Sequence, residues 1–466
     1  MATEPQGAEA GGLSLAVTGS GGSGAVTTGL ILLAAAGRAG CYGLMSRSSG
    51  PQIRGGESAA MVRFSSDPVH CMGDRFDLLV GLDWRNLGRF ADELPLDARS
   101  QVLTDPTAGP VPAAIAESGA LVRELPLAEL SAGIEGGRLN MVALGAAGAA
   151  AGLPLAALEA GTRSTLRKKG AATLTAAIAC LCAGFGLAPG GRPVEAGTPE
   201  RWTLSGNEAS GLGALRGGVR FVAAYPITPA TEMLEWLAPR LERLGGALLQ
   251  AEDELAAINM AIGGSFGGVP SLTATSGPGL SLMVEGLGLA VATETPVVVV
   301  DVMRGGPSTG IPTKSEQADL NIALHGLHGD APHLVLAALD VRDCVFTCQW
   351  ATRLAEHLQT AAVVLTDQLL GQSRAIVDPP ERFRARLPRR TAEPGAGHYA
   401  RYAPTAAGVS PMAVPGQPGC MYTADGLEHG RDGTPSSMAA DHLAQLEKRR
   451  RKLSGFDFGA HWAEVY

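Results

Sequence analysis

Residues 296–310 read PVVVVDVMRGGPSTG, a short apolar run followed at once by a glycine-rich loop that begins at Arg304. The same arrangement recurs across residues 205–370, where strand-like runs alternate with helical runs such as 252–262 and 342–358. This alternation predicts an α/β domain built on a doubly wound parallel sheet. The candidate strands are residues 219–223, 247–251, 271–274, 296–302, 334–338 and 361–365.

Short polar and glycine-rich motifs follow these candidate strands. In an open parallel sheet, ligands bind beyond the carboxyl ends of the strands, so the motifs are candidate binding elements. Thr228, which precedes Pro229, is also predicted to cap the helix that follows. The motifs are Tyr225-Pro226-Ile227-Thr228-Pro229, Gln250-Ala251-Glu252-Asp253-Glu254, Thr273-Ala274-Thr275-Ser276-Gly277-Pro278-Gly279, Arg304-Gly305-Gly306-Pro307-Ser308-Thr309-Gly310 and Glu316-Gln317-Ala318-Asp319-Leu320.

The chain as a whole is too long for one ordinary core, and its composition changes along its length. We expect a leader at 1–12, a second α/β domain at 13–190, a linker rich in proline and glycine at 191–204, and an extended tail at 371–466 with a short helix near 437–452. Within 13–190, the predicted elements are a strand from Leu13, a helix at 26–36, further strands at 78–82 and 141–144, and helices across 143–187.

Two loops of the N-terminal domain are candidate anion sites. Gly19-Ser20-Gly21-Gly22-Ser23-Gly24 lies between strand and helix, where a glycine backbone can approach a phosphate. A tight turn without a ligand fits it equally well. No acidic residue follows about 20 positions later, which argues against a nicotinamide dinucleotide. Arg54 lies in the second loop, which fits an anion site or a surface turn.

Charge and composition exclude other classes of function. The net charge is −8 and aromatic residues make up 5% of the chain, which argues against binding nucleic acid. The basic run Lys448-Arg449-Arg450-Arg451-Lys452 is predicted to be a solvated helix end. The 7 scattered cysteines form no CxxC pair, which argues against disulfides or an iron–sulfur cluster within this chain. Without a signal peptide or a convincing membrane span, a cytoplasmic location is expected.

Taken together and in this order, the motifs resemble the 2-oxoacid:ferredoxin oxidoreductases. The YPITP, QAEDE, TSGPG and RGGPSTG motifs look like the family's alpha subunit, and the two N-terminal loops look like its gamma domain. The fused gamma–alpha order is typical of the 2-oxoglutarate-type branch. The resemblance implies a gamma-type α/β domain, then a pyrimidine-type domain that binds thiamine diphosphate, then an extended tail.

The resemblance also implies roles for individual residues. Glu252 is expected to hydrogen-bond the cofactor's pyrimidine ring as a buried carboxyl and so promote loss of the thiazolium proton. Asp253 and Glu254 are its rivals, and both more easily begin a helix. Arg304 is expected to bind the substrate's carboxylate, and Thr228 to donate a hydrogen bond to the substrate. Further expected contacts are Tyr225, Pro226, Ser276 and Gly277 for thiamine diphosphate, and Gly21, Gly22 and Arg54 for coenzyme A.

Two elements that the reaction needs are missing from the sequence, which implies that a partner chain supplies them. A magnesium–diphosphate loop of the GDG…N type and cluster-binding cysteines are missing from the sequence, and the family carries both on its beta subunit. The resemblance therefore implies an active site shared with a beta chain that holds Mg²⁺ and an iron–sulfur cluster, with ferredoxin as electron acceptor. A dimer of heterodimers is expected. The family's alpha chains also normally continue beyond the point at which this sequence ends.

Other functions remain open from the sequence. The chain could belong to another thiamine diphosphate enzyme, although such chains usually carry the diphosphate loop themselves. It could also be a truncated, non-catalytic paralogue that acts as a scaffold. For the oxidoreductase, 2-oxoglutarate is the favoured substrate, and pyruvate and branched-chain or aryl 2-oxoacids are the alternatives.

Overall fold

The computed structural model describes residues 12–49, 56–85, 87–188, 190–191, 194, 201–311, 313–384, 387–395 and 398–461. They form two compact units. The first contains the described residues up to Ser205 together with Ser373–Pro380, and the second contains Gly206–Gln372 together with those from Glu381 onward. The predicted leader, except Gly12, and most of the predicted linker lie outside the described residues.

Strands and helices alternate along most of the described chain. Up to residue 205 they are β1 Gly12–Ser20, α1 Ala25–Arg38, β2 Tyr42–Ser49, β3 Glu57–Ser65, β4 Leu78–Gly81, β5 Gln101–Thr104, α2 Ala113–Ala116, β6 Leu121–Glu124, α3 Leu127–Ala132, α4 Leu139–Ala150, α5 Leu155–Thr165, α6 Ala171–Phe185 and β7 Trp202–Ser205. From residue 206 they are α7 Gly206–Gly217, β8 Phe221–Ala224, α8 Thr231–Arg243, β9 Ala247–Gln250, α9 Glu254–Phe266, β10 Ser271–Thr275, α10 Gly277–Ala292, β11 Val297–Met303, α11 Leu320–His325, β12 Leu334–Ala337, α12 Asp343–Leu358, β13 Ala361–Asp367, α13 Gln368–Gln372, β14 Arg374–Val377 and α14 Ala439–Ser454. Short 3₁₀ turns lie at Leu87–Arg89, Ala91–Glu93, Pro106–Ala108 and Gly459–His461.

The first unit is built on a mixed sheet in the order β6-β5-β4-β1-β3-β2-β14-β7. β1, β4, β5 and β6 run parallel, whereas β1, β3, β2, β14 and β7 pair antiparallel. Leu15 and Val17 of β1 are fully buried in a core that also contains Ile31 and Leu32 of α1. This sheet carries the glycine loop between β1 and α1.

The strand predicted at 141–144 is wrong, because these residues lie inside helix α4. Met141, Val142, Ala143 and Leu144 are all buried, as is most of the helix. A helix that is apolar on all sides lacks the alternation of apolar and polar faces that marks an amphipathic helix. A short apolar run of this kind therefore cannot be distinguished from a buried strand by its periodicity.

Strands β7 and β14 lie in stretches predicted to be linker and tail. They pair with each other antiparallel, with Ala375 opposite Leu204, and β14 continues the sheet through β2. Each strand is only 4 residues long, too short for an alternating pattern to identify it. The chain therefore returns from the second unit to complete the sheet of the first.

The second unit contains the predicted doubly wound sheet, in the order β12-β13-β11-β10-β8-β9. Its pairs are all parallel. All of β11 is buried, and its valines alternate between two cores. Val298 and Val300 pack in a core that contains Trp350 of α12, while Val299 packs in a core that contains Ile258 of α9. Because helices cover both faces of the sheet at β11, every position of the strand is buried, which explains the unbroken apolar run in the sequence.

The direction of winding reverses between β8 and β10. From β8 the chain moves to β9 at one edge, then crosses back so that β10 lies on the other side of β8. At such a reversal the loops after two neighbouring strands diverge and leave a crevice beyond their carboxyl ends, where α/β sheets bind ligands. The loops after β8 and β10 carry the YPITP and TSGPG motifs.

Three residues of the basic run near the C-terminus depart from the solvated helix end that the sequence predicts, whereas Arg450 is exposed as predicted. Lys448 and Lys452 of α14 are buried, and their Nζ atoms lie 2.5 and 2.6 Å from the two carboxylate oxygens of Glu294. Arg449 is also buried and donates a hydrogen bond of 2.7 Å to Glu428. The run therefore joins α14 to the rest of its unit.

Within the described ranges, none of the helices has both the length and the apolar character needed to cross a bilayer.

Candidate active site

Arg304 and Thr228 meet at the carboxyl edge of the parallel sheet. Arg304 begins the loop after β11, and its Nη1 donates a hydrogen bond of 2.7 Å to the carbonyl oxygen of Thr228, in the loop after β8. Its Nη2 donates a bond of 3.1 Å to Ser308 Oγ. Two residues predicted from separate motifs are therefore in direct contact.

Thr228 is not the helix cap that the sequence predicts. Helix α8 begins at Thr231, and Ala230 occupies the N-cap position without a side-chain hydrogen bond. Residues 228–230 form a turn before the helix, and the Thr228 side chain is exposed. A hydroxyl that is not used to cap a helix is available to a ligand.

Tyr225 and Pro226 follow β8 directly. The Tyr225 side chain is 39% exposed although it lies at the end of a buried strand. An aromatic face of this kind at the carboxyl edge of the sheet is a surface on which an apolar part of a ligand can lie.

The acidic motif after β9 separates into three environments. Asp253 is the N-cap of α9, and its carboxylate accepts a hydrogen bond of 2.7 Å from the amide of Ala256. Glu252 is exposed, whereas Glu254 is only 6% exposed. Glu254 is therefore the buried carboxylate of this motif in the single chain, and the role predicted for Glu252 stays a prediction.

Glu254 lies against the turn that begins α10. A Cβ added at Gly279 would come within 2.0 Å of Thr275 Oγ1 and 2.8 Å of Glu254 Oε1, so both side chains pack on the bare glycine. Gly277 is similarly close to Asp319, because a Cβ added there would lie 2.3 Å from its Oδ1. Glycine at both positions lets side chains from three loops converge at the reversal of the sheet.

These residues fit the pyrimidine end of thiamine diphosphate. Ser276 is fully buried, and its hydroxyl has no hydrogen-bond partner among the described residues. A buried polar group without a partner costs stability unless a ligand or water satisfies it. The Ser276 hydroxyl and the Glu254 carboxylate offer a donor and an acceptor beside the crevice. Groups of three or more His, Cys, Asp or Glu suited to a metal ion do not occur in the part of the chain that the structure describes.

A buried aspartate lies beside this turn, and no sequence motif singles it out. Asp301 is fully buried in β11, next to Thr275 of β10 in the sheet register. Burial, reinforced by the negative charge of Asp319, raises the pKa of its carboxyl well above the usual value. The sequence feature that could have identified Asp301 is a single acidic residue within an otherwise apolar strand.

In the first unit, the glycine loop caps a long helix. Gly22 and Gly24 have φ of 96° and 94°, and a Cβ at Gly22 would meet no atom within 4 Å. The amide of Gly21 donates a bond of 2.7 Å to the carbonyl of Gly56. At the start of the loop, Asp83 accepts bonds from the amide and hydroxyl of Ser20, and Arg85 donates one of 3.2 Å to that hydroxyl.

These contacts leave the loop open above Gly22 with a cation at its base. Arg54 lies outside the described residues, so its predicted contact with coenzyme A stays a prediction. Arg85, which bonds Ser20 at the start of the loop, lies outside the sequence motifs.

Comparison with known proteins agrees with this architecture. The family model described as pyruvate flavodoxin/ferredoxin oxidoreductase, thiamine diP-bdg, matches residues 212–449, and the model described as pyruvate ferredoxin/flavodoxin oxidoreductase matches residues 14–187. A solved 2-oxoglutarate:ferredoxin oxidoreductase from Magnetococcus marinus superposes with a TM-score of 0.88 at 37% identity, over 96% of this chain and 79% of that one.

Curated relatives are similar over about half of this chain. The 2-oxoacid:ferredoxin oxidoreductase 1 subunit alpha of Sulfurisphaera tokodaii is 40% identical over 272 residues, which are 55% of this chain and 43% of the relative. The 2-oxoglutarate synthase subunit KorA of Methanothermobacter marburgensis is 39% identical over 250 residues, or 54% of this chain and 66% of that subunit. The match thus spans less than two thirds of either relative.

The fold and the carboxyl-edge motifs define an α/β protein with a thiamine diphosphate-binding domain preceded by a gamma-type domain. The chain belongs to the 2-oxoacid:ferredoxin oxidoreductase family and is similar to its alpha subunits. The predicted fold class and the predicted family are confirmed.

Proposed function

We propose that this chain is the alpha-type subunit of an enzyme that oxidatively decarboxylates a 2-oxoacid to an acyl-CoA and CO₂, with ferredoxin as the electron acceptor. The observation that carries the proposal is the contact of Arg304 with Thr228 at the carboxyl edge of the parallel sheet, where the acidic motif 252–254 follows the neighbouring strand β9. The M. marinus structure, described with 2-oxoglutarate, coenzyme A and succinyl-CoA bound, supports 2-oxoglutarate as the favoured substrate.

Arg304 and Thr228 would hold the substrate. Arg304 is half-buried at the edge of the crevice, and its planar guanidinium can bind the substrate's carboxylate by paired hydrogen bonds. Its bond to the Thr228 carbonyl fixes the direction in which the guanidinium points. The exposed Thr228 hydroxyl would donate to the substrate beside it.

The carboxylate proposed to act on the cofactor is Glu252, with Glu254 as its rival. Glu252 is exposed in this chain and would be buried by the proposed beta chain, whereas Thr275 and Gly279 of this chain already bury Glu254. A desolvated carboxylate interacts more strongly with a ring nitrogen than an exposed one, because water does not compete. Bound thiamine diphosphate supplies the nucleophilic carbon and the electron sink of the reaction. Ser276 and Gly277 would contact its pyrimidine ring, with Tyr225 and Pro226 at the rim.

In this reaction the bond between the 2-oxoacid's carbonyl carbon and its carboxylate breaks, and CO₂ leaves. Two electrons would pass, one at a time, to ferredoxin, with an iron–sulfur cluster of the proposed beta chain as the carrier, and the acyl group would form a thioester with coenzyme A as the thiol loses its proton. The open loop with Gly21 and Gly22, at the N-terminus of α1, is the proposed contact for coenzyme A, with Arg54 and Arg85 as candidate cations.

A beta chain is proposed to complete the site with the Mg²⁺–diphosphate loop and the iron–sulfur cluster. Large apolar side chains next to the site residues support this. Leu255, Leu282 and Leu320 are each close to half exposed, and they follow Glu254, Gly279 and Asp319 within three positions. Exposed apolar groups around a site are typical of surfaces that bind another chain. Two such heterodimers are proposed to pair.

We also propose a reducing, cytoplasmic location. All the cysteines lie in the described ranges and all are free thiols, including the buried pair Cys344 and Cys348 on α12. Free thiols persist where the surroundings are reducing.

The test is reconstitution of the chain with a co-purified beta chain that carries a diphosphate loop and cluster cysteines. We expect thiamine diphosphate-dependent and coenzyme A-dependent reduction of ferredoxin, fastest with 2-oxoglutarate among a panel of 2-oxoacids. Turnover by the isolated chain would favour another class of thiamine enzyme. An assembled complex that does not bind thiamine diphosphate by calorimetry would favour a scaffold.

A further inference from the structure

The turn after β8 offers two consecutive backbone carbonyls, and each accepts a hydrogen bond from a different part of the chain. The Thr228 carbonyl accepts from Arg304 Nη1 at 2.7 Å, and the Pro229 carbonyl accepts from Asn207 Nδ2 at 3.0 Å. Asn207 is the second residue of α7, 22 positions before Pro229. The position of the turn that orients Arg304 therefore depends on a side chain from a distant part of the sequence.

Close packing fixes Asn207 at the start of α7. The residue is only 1% exposed. A Cβ added at Gly206 would come within 2.2 Å of the Leu370 carbonyl oxygen, so α7 begins directly on the backbone of α13. A Cβ added at Gly371 would lie 3.1 Å from Asn207 Oδ1 and 3.0 Å from Cγ1 of Val302, near the end of β11. Asn207 thus lies between the turn after β8 and a glycine that packs on β11.

The bond from Asn207 is also difficult to replace. Pro229 is itself buried, so solvent is not at hand to donate to its carbonyl in place of the Asn207 amide. A buried carbonyl that loses its donor costs stability, and the backbone moves to avoid that cost. The neighbouring Thr228 carbonyl, which accepts from Arg304, would move with it.

From this geometry we propose that Asn207 is a positioning residue for the substrate. By holding the Pro229 carbonyl it fixes the turn, so that the Thr228 carbonyl orients the Arg304 guanidinium and the Thr228 hydroxyl faces the substrate. Asn207 acts through these two residues, because its own side chain is buried. The role in substrate binding rests on the proposed function, whereas the hold on the turn does not.

Kinetics of the reconstituted complex test the positioning role. Asn207→Ala removes the donor, and Asn207→Leu removes it while roughly keeping the side-chain volume. Loss of the bond should raise KM for the 2-oxoacid about tenfold in either variant and change kcat less than about threefold. A wild-type KM in a folded variant at 207 would overturn the proposal.

Gln349→Ala is the matched control. Gln349 is a buried residue of α12, and its Nε2 donates a hydrogen bond of 3.0 Å to the Phe383 carbonyl. The control therefore loses the same kind of bond outside the candidate site. It should keep the wild-type KM, and an equal rise in KM in Gln349→Ala would overturn the proposal by showing a general structural effect.

A double variant separates positioning from general loss of structure. If Asn207 acts through Arg304, its substitution should matter less once Arg304 has been changed, because residues that act through one another are not additive. We expect Asn207→Ala to raise KM less than about threefold in the Arg304→Lys background. Effects of the two substitutions that simply multiply would overturn the proposal.

Hydrogen–deuterium exchange in the full chain tests the hold on the turn without any turnover. The amide of Thr231 donates a bond of 3.0 Å to the Ile227 carbonyl across the turn, so its protection reports whether the turn is intact. Exchange across residues 227–231 should be faster in Asn207→Ala and unchanged in Gln349→Ala. Wild-type exchange in Asn207→Ala would refute the hold on the turn. Faster exchange, together with a wild-type complex that turns over no 2-oxoacid, would instead refute the proposed function.

Discussion

The carboxylate of Glu254 lies directly over Gly279, so that a methyl group at position 279 would come within 2.8 Å of Glu254 Oε1. The two residues belong to different motifs, and their contact joins the start of α9 to the turn that begins α10. This contact depends on glycine at position 279, because any side chain there would occupy the space of the Glu254 carboxylate.

Gly279→Ala is therefore expected to displace Glu254 and Thr275. Overpacking of this kind costs about 1–3 kcal/mol of stability, and we expect it to weaken thiamine diphosphate binding by the assembled complex. Gly288 lies in the same helix, and a methyl group added there would meet no atom within 4 Å. Gly288→Ala is therefore the matched control and should stabilise the chain by up to about 1 kcal/mol. Chemical denaturation and calorimetric titration measure the two effects, and equal behaviour of the two variants would contradict the contact.

Arg304→Lys is expected to weaken binding of the 2-oxoacid. Lysine keeps the charge but cannot make paired hydrogen bonds to a carboxylate while also bonding the Thr228 carbonyl. Loss of a hydrogen bond to a charged group should raise KM between about tenfold and a hundredfold. Thr228→Ala keeps the backbone carbonyl and should have a smaller effect. Arg243→Lys, at an exposed position on α8, controls for the substitution itself, and a variant at 304 that matches this control would exclude Arg304 from substrate binding.

The buried cluster around Glu294 predicts an order of stabilities. One carboxylate faces Lys448, Lys452 and the positive charge of Arg401, so positive charge is in excess. Glu294→Gln removes the carboxylate that these three cations share and should cost about 3–5 kcal/mol of unfolding free energy. Lys448→Met removes one excess cation and should cost much less. Denaturant unfolding measures both, and equal losses would show that the charge balance is not what stabilises the cluster.

The same cluster predicts how stability depends on pH. Burial lowers the pKa of Lys448 to about 7, against an ordinary lysine value of 10.5. Between these values the unfolded chain holds a proton that the folded chain has lost, so the unfolding free energy rises with pH across that interval. Lys448→Met should show a flatter rise than the wild type when unfolding is measured over the same range. A steeper or unchanged slope in the variant would contradict the assignment.

Much of the fold could be predicted because its core strands are short apolar runs bounded by glycine and polar motifs. The run at 296–302 appears as β11 Val297–Met303, and the alternation around it identified the parallel sheet. The basic run 448–452 could not be interpreted in the same way. Its partner Glu294 lies 154 residues before Lys448, and only the four-residue spacing of Lys448 and Lys452 indicated a shared face.

The sequence motifs identified many residues of the candidate site, but they did not predict which of these residues contact one another. Arg304 and Thr228 were selected separately, and the sequence does not specify that they bond. Among the acidic residues 252–254, burial separates the candidates, and burial depends on packing against Thr275 and Gly279 from a later strand and helix. Asp301 lies inside an apolar strand, and the sequence does not show that Asp319, 18 positions later, comes close enough to affect its charge.

The most direct test of the account compares Glu254→Gln with Glu252→Gln in the complex reconstituted with a beta chain. We predict that Glu252→Gln abolishes ferredoxin reduction driven by the 2-oxoacid while the complex still assembles, and that Glu254→Gln keeps activity within about tenfold of wild type. Full activity in Glu252→Gln, or loss of activity in Glu254→Gln alone, would contradict it.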